Sequence, residues 1–315
     1  MVSFSRVVKE EIVFNDFNQH CEKALLCAMI KINGTLALNQ SGLSLTLRTE
    51  NAKIASKLHR ILKDLYQPHI EFRVQRKMKL KKNNVYILIV SKAREILENL
   101  SLMEDIGIQS IPDMSLLKSD DEKRAYMAGV FLACGSVNNP DTSNYHLEMS
   151  VNEEEYALFI EELMNRYELN AKVIKRRNKY VVYLKSAEKI GDFLRAIGAS
   201  QSVMEFEMTR IDRSMANTVN RWNNCDIANE MKAMSASSAQ MRDIVYIIDK
   251  VGIEVLEDKT REVALLRLEN PELTLNELAD EYVKKTGQTI SKSGLYRRFA
   301  KIKEEAQKLR QMEKD

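Results

Sequence analysis

Two similar apolar segments constrain the fold of this chain more than any other feature. The first runs from Leu26 to Gly34 and the second from Met127 to Gly135. Each has small residues at its second and third positions, and each ends in Gly followed by a hydroxyl residue and an aliphatic residue. Because two helices approach closely only where the facing side chains are small, we expect these segments to be helices packed against each other.

The residues after each segment predict the same order of elements. Hydrophobic periodicity after Gly34 predicts these elements in turn: a short strand, a strand over 43–49, an amphipathic helix from Asn51, strands over 70–75 and 85–90, and a helix through Ala93 and Leu97. After Gly135 it predicts a strand over 145–151, a helix through Tyr156, strands over 172–175 and 180–184, and a helix through Phe193. The sequence therefore predicts two α-β-β-α-β-β-α repeats, at about residues 20–100 and 121–198.

The doubled pattern resembles the LAGLIDADG homing-endonuclease fold, whose consensus motif both segments match imperfectly. The resemblance implies a pseudo-symmetric α+β domain over residues 1–200, in which two packed helices join two sheets into one saddle. The alternative is a pair of unrelated apolar helices that both end in Gly, which is a common residue just after helices.

The motif residues that would carry nuclease chemistry are altered. In LAGLIDADG nucleases the residue before the final Gly is acidic, and two such carboxylates hold divalent metals over the scissile phosphates. The matching positions here are Asn33 and Cys134, and the other acidic position is Lys31 or Leu132. Asn offers only a neutral carbonyl and Cys is a soft ligand that suits Mg²⁺ poorly. We therefore expect no catalytic residues, no metal, no cofactor and no enzymatic activity.

Basic hairpins occur at equivalent places in the two repeats. The candidate DNA-binding side chains in them are Lys79, Lys81, Lys82, Lys175, Arg176 and Arg177. Two like-charged hairpins suit the phosphates of a duplex. Two alternatives stay open: solvated Lys and Arg that protect strand edges, and a surface used for protein partners.

The pattern becomes all-α after Gly198, with a helical linker over 201–238 and a helical domain over 239–315. Thr274 and Glu277 form a capping-box pattern, and Ser291 is the expected N-cap of the following helix. This spacing predicts a helix-turn-helix whose second helix enters a major groove. The candidate DNA-binding residues are Thr274, Ser291, Lys292, Ser293, Tyr296, Arg297, Arg298 and Lys301. The alternative is a plain three-helix module with a solvated charged face.

Composition limits the remaining function classes. A chain that is 44% apolar can bury a core, and a net charge of +3 does not by itself identify a partner. No apolar run reaches the roughly 18 residues of a membrane span, and no signal-peptide pattern is present, so we expect a cytoplasmic protein without a membrane partner. The four cysteines form no C-x-x-C pair, which favours reduced thiols over a zinc site.

An altered LAGLIDADG domain followed by this helix-turn-helix is the arrangement of the WhiA family, which the chain resembles over nearly its whole length. The residues that carry the resemblance are 81–87, 135–140, 219–221 with 224–225, and 290–294. The resemblance implies a nucleoid-associated protein that binds specific double-stranded DNA and acts in cell division and chromosome segregation as a transcriptional regulator. Other transcription or division proteins are further expected partners. The alternative is a division or segregation adaptor that uses the saddle for protein contacts and binds DNA only secondarily.

Overall fold

The chain divides into two compact units, Met1–Ser214 and Met215–Asp315. The computed structural model describes residues 3–39, 42–76, 84–104, 107–109, 111–142 and 144–313. Within these ranges, no helix combines the length and apolar character needed to cross a membrane.

The first repeat has the predicted order of elements. Its bounds are α2 (Gln19–Asn33), β1 (Gly34–Asn39), β2 (Gly42–Thr49), α3 (Ala52–Tyr66), β3 (Ile70–Arg76), β4 (Asn84–Val90) and α4 (Arg94–Asn99). Asn51 caps α3 as the sequence indicates, because its side-chain oxygen accepts from the backbone amides of Lys53 and Ile54. A short pair of strands, β5 (Met103–Glu104) and β6 (Gly107–Ile108), and a 3₁₀ turn at Met114–Leu116 follow this repeat.

The second repeat has the same order. Its bounds are α5 (Asp120–Cys134), β7 (Gly135–Val137), β8 (Leu147–Val151), α6 (Glu154–Asn165), β9 (Lys172–Arg176), β10 (Lys179–Leu184) and α7 (Ala187–Ala196). The strand order is β1-β2-β4-β3 in the first antiparallel sheet and β7-β8-β10-β9 in the second. The predicted α+β repeat architecture is therefore confirmed.

The two motif helices, α2 and α5, pack through small residues. Gly129 lies against α2 so closely that an added Cβ would be 2.5 Å from the Leu25 carbonyl oxygen and 2.9 Å from Ala28 Cβ. Cys27 and Ala28 are fully buried at the same crossing. The small residues noted in the sequence are thus what lets the two backbones meet.

Gly129→Ala should destabilise the first unit by about 2 kcal/mol, since the new methyl group meets backbone atoms that cannot move away. The matched control is Gly191→Ala in α7, where an added Cβ meets only the carboxylate end of Glu207. That side chain can turn aside, and alanine favours a helix over glycine by about 0.8 kcal/mol. Urea unfolding of both variants measures the difference, and equal midpoints would contradict the close crossing.

A helix that the sequence analysis did not predict, α1 (Phe4–Phe14), precedes the first repeat. Ser5 Oγ donates to the Val137 carbonyl at 2.7 Å and accepts from the Val137 amide at 2.8 Å, which fixes α1 beside β7. Glu10 accepts from Lys53 at 2.6 Å, which ties α1 to the start of α3. These contacts join α1 to both repeats.

The second unit is helical. Its elements are the C-terminal part of α8 (Ser200–Val251), a 3₁₀ turn at Ile253–Val255, α9 (Asp258–Glu269), α10 (Leu275–Thr286) and α11 (Lys292–Met312). Its core contains Ile244, Val263, Leu278, Leu295 and Phe299, among others. A single helix, α8, covers both the predicted linker over 201–238 and the first part of the helical domain predicted from 239. The polar residues between them do not break a helix, because none is Pro or Gly.

Candidate nucleic-acid interface

The pair α10 and α11 forms a helix-turn-helix arrangement. Thr274 is the N-cap of α10 and accepts from the Glu277 amide, while Glu277 Oε2 accepts from the Thr274 amide at 2.8 Å. Gly287 ends α10 with a left-handed φ of 72°, which glycine adopts without a steric penalty. The capping box that the sequence indicates is present, and a glycine ends the helix.

The start of α11 is set by Ser291. Its Oγ accepts from the Gly294 amide at 3.1 Å and lies 2.9 Å from Ser293 Oγ. Leu295 and Phe299 turn into the core, with 0% and 6% of their surfaces exposed. Tyr296 and Arg297, which lie between them, face solvent, since a helix places neighbouring positions on different sides.

The solvent-facing side of the first two turns of α11 carries Lys292, Tyr296 and Arg297. All three are exposed, and Tyr296 is 69% exposed. Neither cation forms a hydrogen bond or an ion pair with any residue in the described ranges. We call this set the α11 face; its charges are free to meet an anionic partner.

The other two candidate cations of α11 differ from these. Lys301 is exposed, but its ammonium lies 3.0 Å from Glu257 Oε2. Arg298 is half-buried. Thr274 and Ser291 use their hydroxyl groups as helix caps, so their side chains serve the position of the helices first.

The second candidate surface is the face of each sheet that carries no helix. In the second sheet, Val173 packs toward the core. Side chains alternate along β9, so Lys172 and Arg176 project to the opposite face. Lys179 pairs with Arg176 across the strands and shares that face. Glu148 lies there too, 3.7 Å from Arg176.

The structure does not place the three candidate cations of this hairpin together. Arg177 occupies the two-residue connection with a left-handed φ of 56°. Lys175 projects to the face opposite Arg176, with its ammonium 5.4 Å from the centre of the Tyr180 ring. Lys79, Lys81 and Lys82 lie outside the described residues.

The first sheet adds two cations, Arg48 and Arg73, that are not among the candidate DNA-binding residues predicted from the sequence. Arg48 pairs with Ile87, which pairs with Arg73, so all three share the face opposite the buried Leu47. Arg73 already donates to Glu71 at 2.9 Å, whereas Arg48 has no ion pair with a described residue. Strict alternation along β2 and β3 was the signal that could have identified them.

The ends of α2 and α5 contain the positions that correspond to nuclease carboxylates. Asn33 and Cys134 are the last residues of these helices. Burial raises the pKa of the Cys134 thiol to about 11, so it stays protonated at neutral pH and is a poor cation ligand. The Lys31 ammonium lies 2.9 Å from Glu153 Oε2 with its side chain 5% exposed, which places a positive charge beside these ends.

Among the described residues, no group of three or more His, Cys, Asp or Glu side chains is arranged to hold a metal ion. Glu153, a carboxylate near the ends of α2 and α5, already accepts hydrogen bonds from the Lys31 ammonium through both of its oxygens. The donor set therefore does not fit the two divalent metals of a nuclease.

Three of the four cysteines, Cys27, Cys134 and Cys225, should react at very different rates with an alkylating reagent near neutral pH. Cys225 is exposed, whereas burial raises the pKa values of Cys134 to about 11 and Cys27 to about 12. Because the thiolate is the nucleophile, Cys225 should be labelled first and the other two only after unfolding. Mass spectrometry of the labelled peptides measures this order. Rapid labelling of Cys134 would mean that a reactive thiolate is available there.

Three family models match the chain. They are described as the WhiA N-terminal LAGLIDADG-like domain over residues 19–103, the WhiA LAGLIDADG-like domain over 123–216 and the WhiA C-terminal HTH domain over 219–306. Together they match most of the chain. The chain belongs to the WhiA family.

Other members of the WhiA family extend the likeness to the full length. A protein of Lysinibacillus sphaericus (strain C3-41), named probable cell division protein WhiA, is 44% identical over 99% of both chains. A protein of the same name from Bacillus thuringiensis (strain Al Hakam) is 44% identical over 98% of both chains.

A solved structure supports the fold of the WhiA chain as well. The crystal structure of full-length DUF199/WhiA from Thermatoga maritima has a TM-score of 0.59 and 27% sequence identity, covering 98% of this chain and 99% of that one. The three WhiA domains thus coincide with the two repeats and the helical unit described above.

Proposed function

We propose that this chain is a sequence-specific DNA-binding protein that reads a major groove with the α11 face. The observation that carries the proposal is the exposed set of Lys292, Tyr296 and Arg297 at the start of a helix whose other side is buried. Arg pairs with guanine edges, while Lys and Tyr suit phosphates. Ser293 and Arg298 flank this face and would extend it.

The helix α10 has a supporting role in this proposal. In a helix-turn-helix the first helix crosses the DNA backbone and holds the second helix in the groove. Thr274 is the N-cap of α10 and Ser291 is the N-cap of α11. In this proposal, the two caps fix the positions at which the first turns of both helices meet the duplex. Residues 239–315 would then form the reading domain, connected to the saddle of residues 1–200 by the helix over 201–238.

For the cellular role, we propose action in cell division and chromosome segregation through transcriptional regulation. The support is the family to which the chain belongs and the printed name of its 44% identical relatives, probable cell division protein WhiA. Such a protein would be nucleoid-associated in the cytoplasm, with double-stranded DNA as its main partner. Nuclease activity is not part of the proposal, because Asn33 and Cys134 replace the required carboxylates.

The sheets would provide a second, weaker contact. Lys172, Arg176 and Lys179 share one open face, which suits phosphates without sequence discrimination. Glu148 on the same face reduces the net positive charge there. A protein partner on this saddle is the alternative role, with DNA binding then secondary.

The test is genome-wide crosslinking of the tagged protein in living cells, with the wild type beside Lys292→Ala/Arg297→Ala. We expect discrete promoter peaks in the wild type that are lost in the variant, with unchanged protein abundance. Peaks that persist in the variant, or an absence of peaks in the wild type, would contradict reading through the α11 face and favour the adaptor role.

A further inference from the structure

A cleft of about 750 Å³ lies in the first unit, where the open face of the first sheet meets α1 and the ends of the motif helices. One wall is α1, a second is the first sheet, and the floor is formed by the ends of α2 and α5. The lining residues used below are Arg6, Lys9, Asn33, Arg48, Glu50 and Gln75. The helix α1 lies before residue 19, where the first family match begins, so the repeats alone would not form this cleft.

Positive charge is in excess in the cleft. Its walls carry three cations, Arg6, Lys9 and Arg48, and one carboxylate, Glu50. Arg6 is already paired with Glu10 at 2.7 Å. Lys9 and Arg48, in contrast, form no hydrogen bond or ion pair with any described residue. These two cations face the cavity together with one carboxylate, and the remaining excess of positive charge attracts an anion.

Lys9 is the more unusual of the two cations. Its ammonium lies 5.7 Å from the centre of the Phe131 ring, and burial lowers its pKa below the ordinary lysine value. The nearby Cys134 thiol gives it no counter-charge near neutral pH, because that thiol has a pKa of about 11. A partly buried ammonium without a carboxylate partner is costly, and a bound anion would offset that cost.

Neutral hydrogen-bond donors lie beside these cations. Asn33 ends α2 at the floor of the cleft, and Gln75 projects from β3. Neither side-chain amide has a hydrogen-bond partner among the described residues. Amide donors next to Arg and Lys form the combination that binds the several oxygens of a phosphate.

We propose that this cleft binds a phosphate-bearing anion, held by Lys9 and Arg48 with Asn33 and Gln75 as additional donors. The cleft is in the size range of small-ligand sites, roughly 300–1,000 Å³, so a group as large as a mononucleotide fits. Protein cations would here provide the positive charge that metal ions provide at the same end of the helices in a nuclease. The phosphate could come from a free small molecule or from the backbone of duplex DNA.

The experiment measures the binding of pyrophosphate to the whole chain by isothermal titration calorimetry in a phosphate-free buffer. We expect saturable binding of one pyrophosphate per chain, weakened at least about tenfold in Lys9→Gln/Arg48→Gln, since two charge-assisted contacts to the anion are lost. The control variant, Arg94→Gln/Lys118→Gln, removes two exposed cations of the same unit outside the cleft and should bind like the wild type.

A second arm separates the two sources of phosphate. In the Lys292→Ala/Arg297→Ala background, residual affinity for duplex DNA is measured with and without the cleft substitutions. If pyrophosphate does not bind but the cleft substitutions lower the residual DNA affinity about tenfold, the phosphate belongs to the DNA backbone. The pyrophosphate arm contains no DNA, so its result is independent of the role proposed for the α11 face.

Two outcomes would overturn the proposal. One is pyrophosphate binding that is equal in the wild type and the cleft variant. The other is neither pyrophosphate binding nor any change in DNA affinity. If Lys9→Gln lowers the melting temperature, the exposed Arg48→Gln alone is tested in its place, because an exposed substitution leaves the core intact.

Discussion

Lys292→Ala/Arg297→Ala should bind its specific duplex about 100-fold more weakly than the wild type. A bidentate contact from Arg to guanine is worth roughly 1–3 kcal/mol, and a Lys contact to a phosphate adds a further salt-dependent part. Both side chains are exposed and have no ion-pair partner among the described residues. Their charges are therefore available to the DNA, and their removal should appear directly as lost affinity.

The affinity is measured by fluorescence anisotropy on a promoter fragment recovered by crosslinking, over a series of salt concentrations. The log–log salt slope should become less steep by about 1, which reports the lost phosphate contact. Affinity for an unrelated duplex should fall much less, since Arg297 is proposed to read a base.

The matched control is Lys284→Ala/Lys308→Ala, which removes the same charge from the same unit. Lys284 lies 2.9 Å from Glu281 and Lys308 lies 2.8 Å from Glu305, so both charges are already neutralised locally. We expect less than about a threefold loss, in line with the small contribution of surface charges. Equal losses in the two variants would indicate a general electrostatic effect and exclude a reading face at the start of α11.

Arg267→Ala should destabilise the second unit by about 4 kcal/mol. Arg267 is 1% exposed, and its guanidinium lies 5.5 Å from the centre of the Phe299 ring. It donates to the carbonyls of Asn270 at 3.3 Å and Leu273 at 2.6 Å. Truncation leaves a cavity and two carbonyls without their donor.

The loss of stability should extend to the proposed DNA-binding helices through the loop whose carbonyls accept from Arg267. Leu273 directly precedes Thr274, the N-cap of α10, and Phe299 is on the buried side of α11. Both helices of the helix-turn-helix therefore depend on one buried side chain. Burial lowers the pKa of Arg267, consistent with a guanidinium that is held by carbonyls and has no carboxylate partner.

Hydrogen exchange followed by mass spectrometry measures this effect in the full-length protein. Peptides from α9, α10 and α11 should lose protection in Arg267→Ala, while peptides from α2 and α5 keep theirs. The control is Arg261→Ala in the same helix, which removes only a surface pair with Asp258 and should cost under about 1 kcal/mol. Unchanged protection in Arg267→Ala would show that the loop is held by other contacts.

Local chemistry in the sequence was enough to predict both repeats and the helix-turn-helix. Caps such as Asn51, Thr274 and Ser291 act within three residues of their own position, so they can be identified without a tertiary structure. Alternation and helical periodicity likewise depend only on neighbouring residues, which is why the bounds of the strands and helices lie close to the expected ones. The DNA-binding roles assigned to α11 and to the hairpins remain predictions.

The helix α1 was not predicted, although its position determines the cleft. Its anchors are Ser5 on Val137 and Glu10 on Lys53, which are contacts between residues far apart in the chain. No short pattern in residues 4–14 indicates those partners. The tertiary structure places Arg6 and Lys9 around a cavity, which their charge alone does not indicate.

The sequence by itself determined the order of the elements in the two repeats, the helix caps, the close crossing at Gly129 and the loss of the nuclease carboxylates, because each depends on the identity or spacing of nearby residues. Only the tertiary structure decided that Arg267 is buried, that Lys31 pairs with Glu153, and that Lys9 lies without an ion-pair partner beside Phe131. Whether a charged side chain is buried or paired depends on which distant segments of the chain meet. The identity of a lysine or arginine in the sequence does not reveal its burial or its partner.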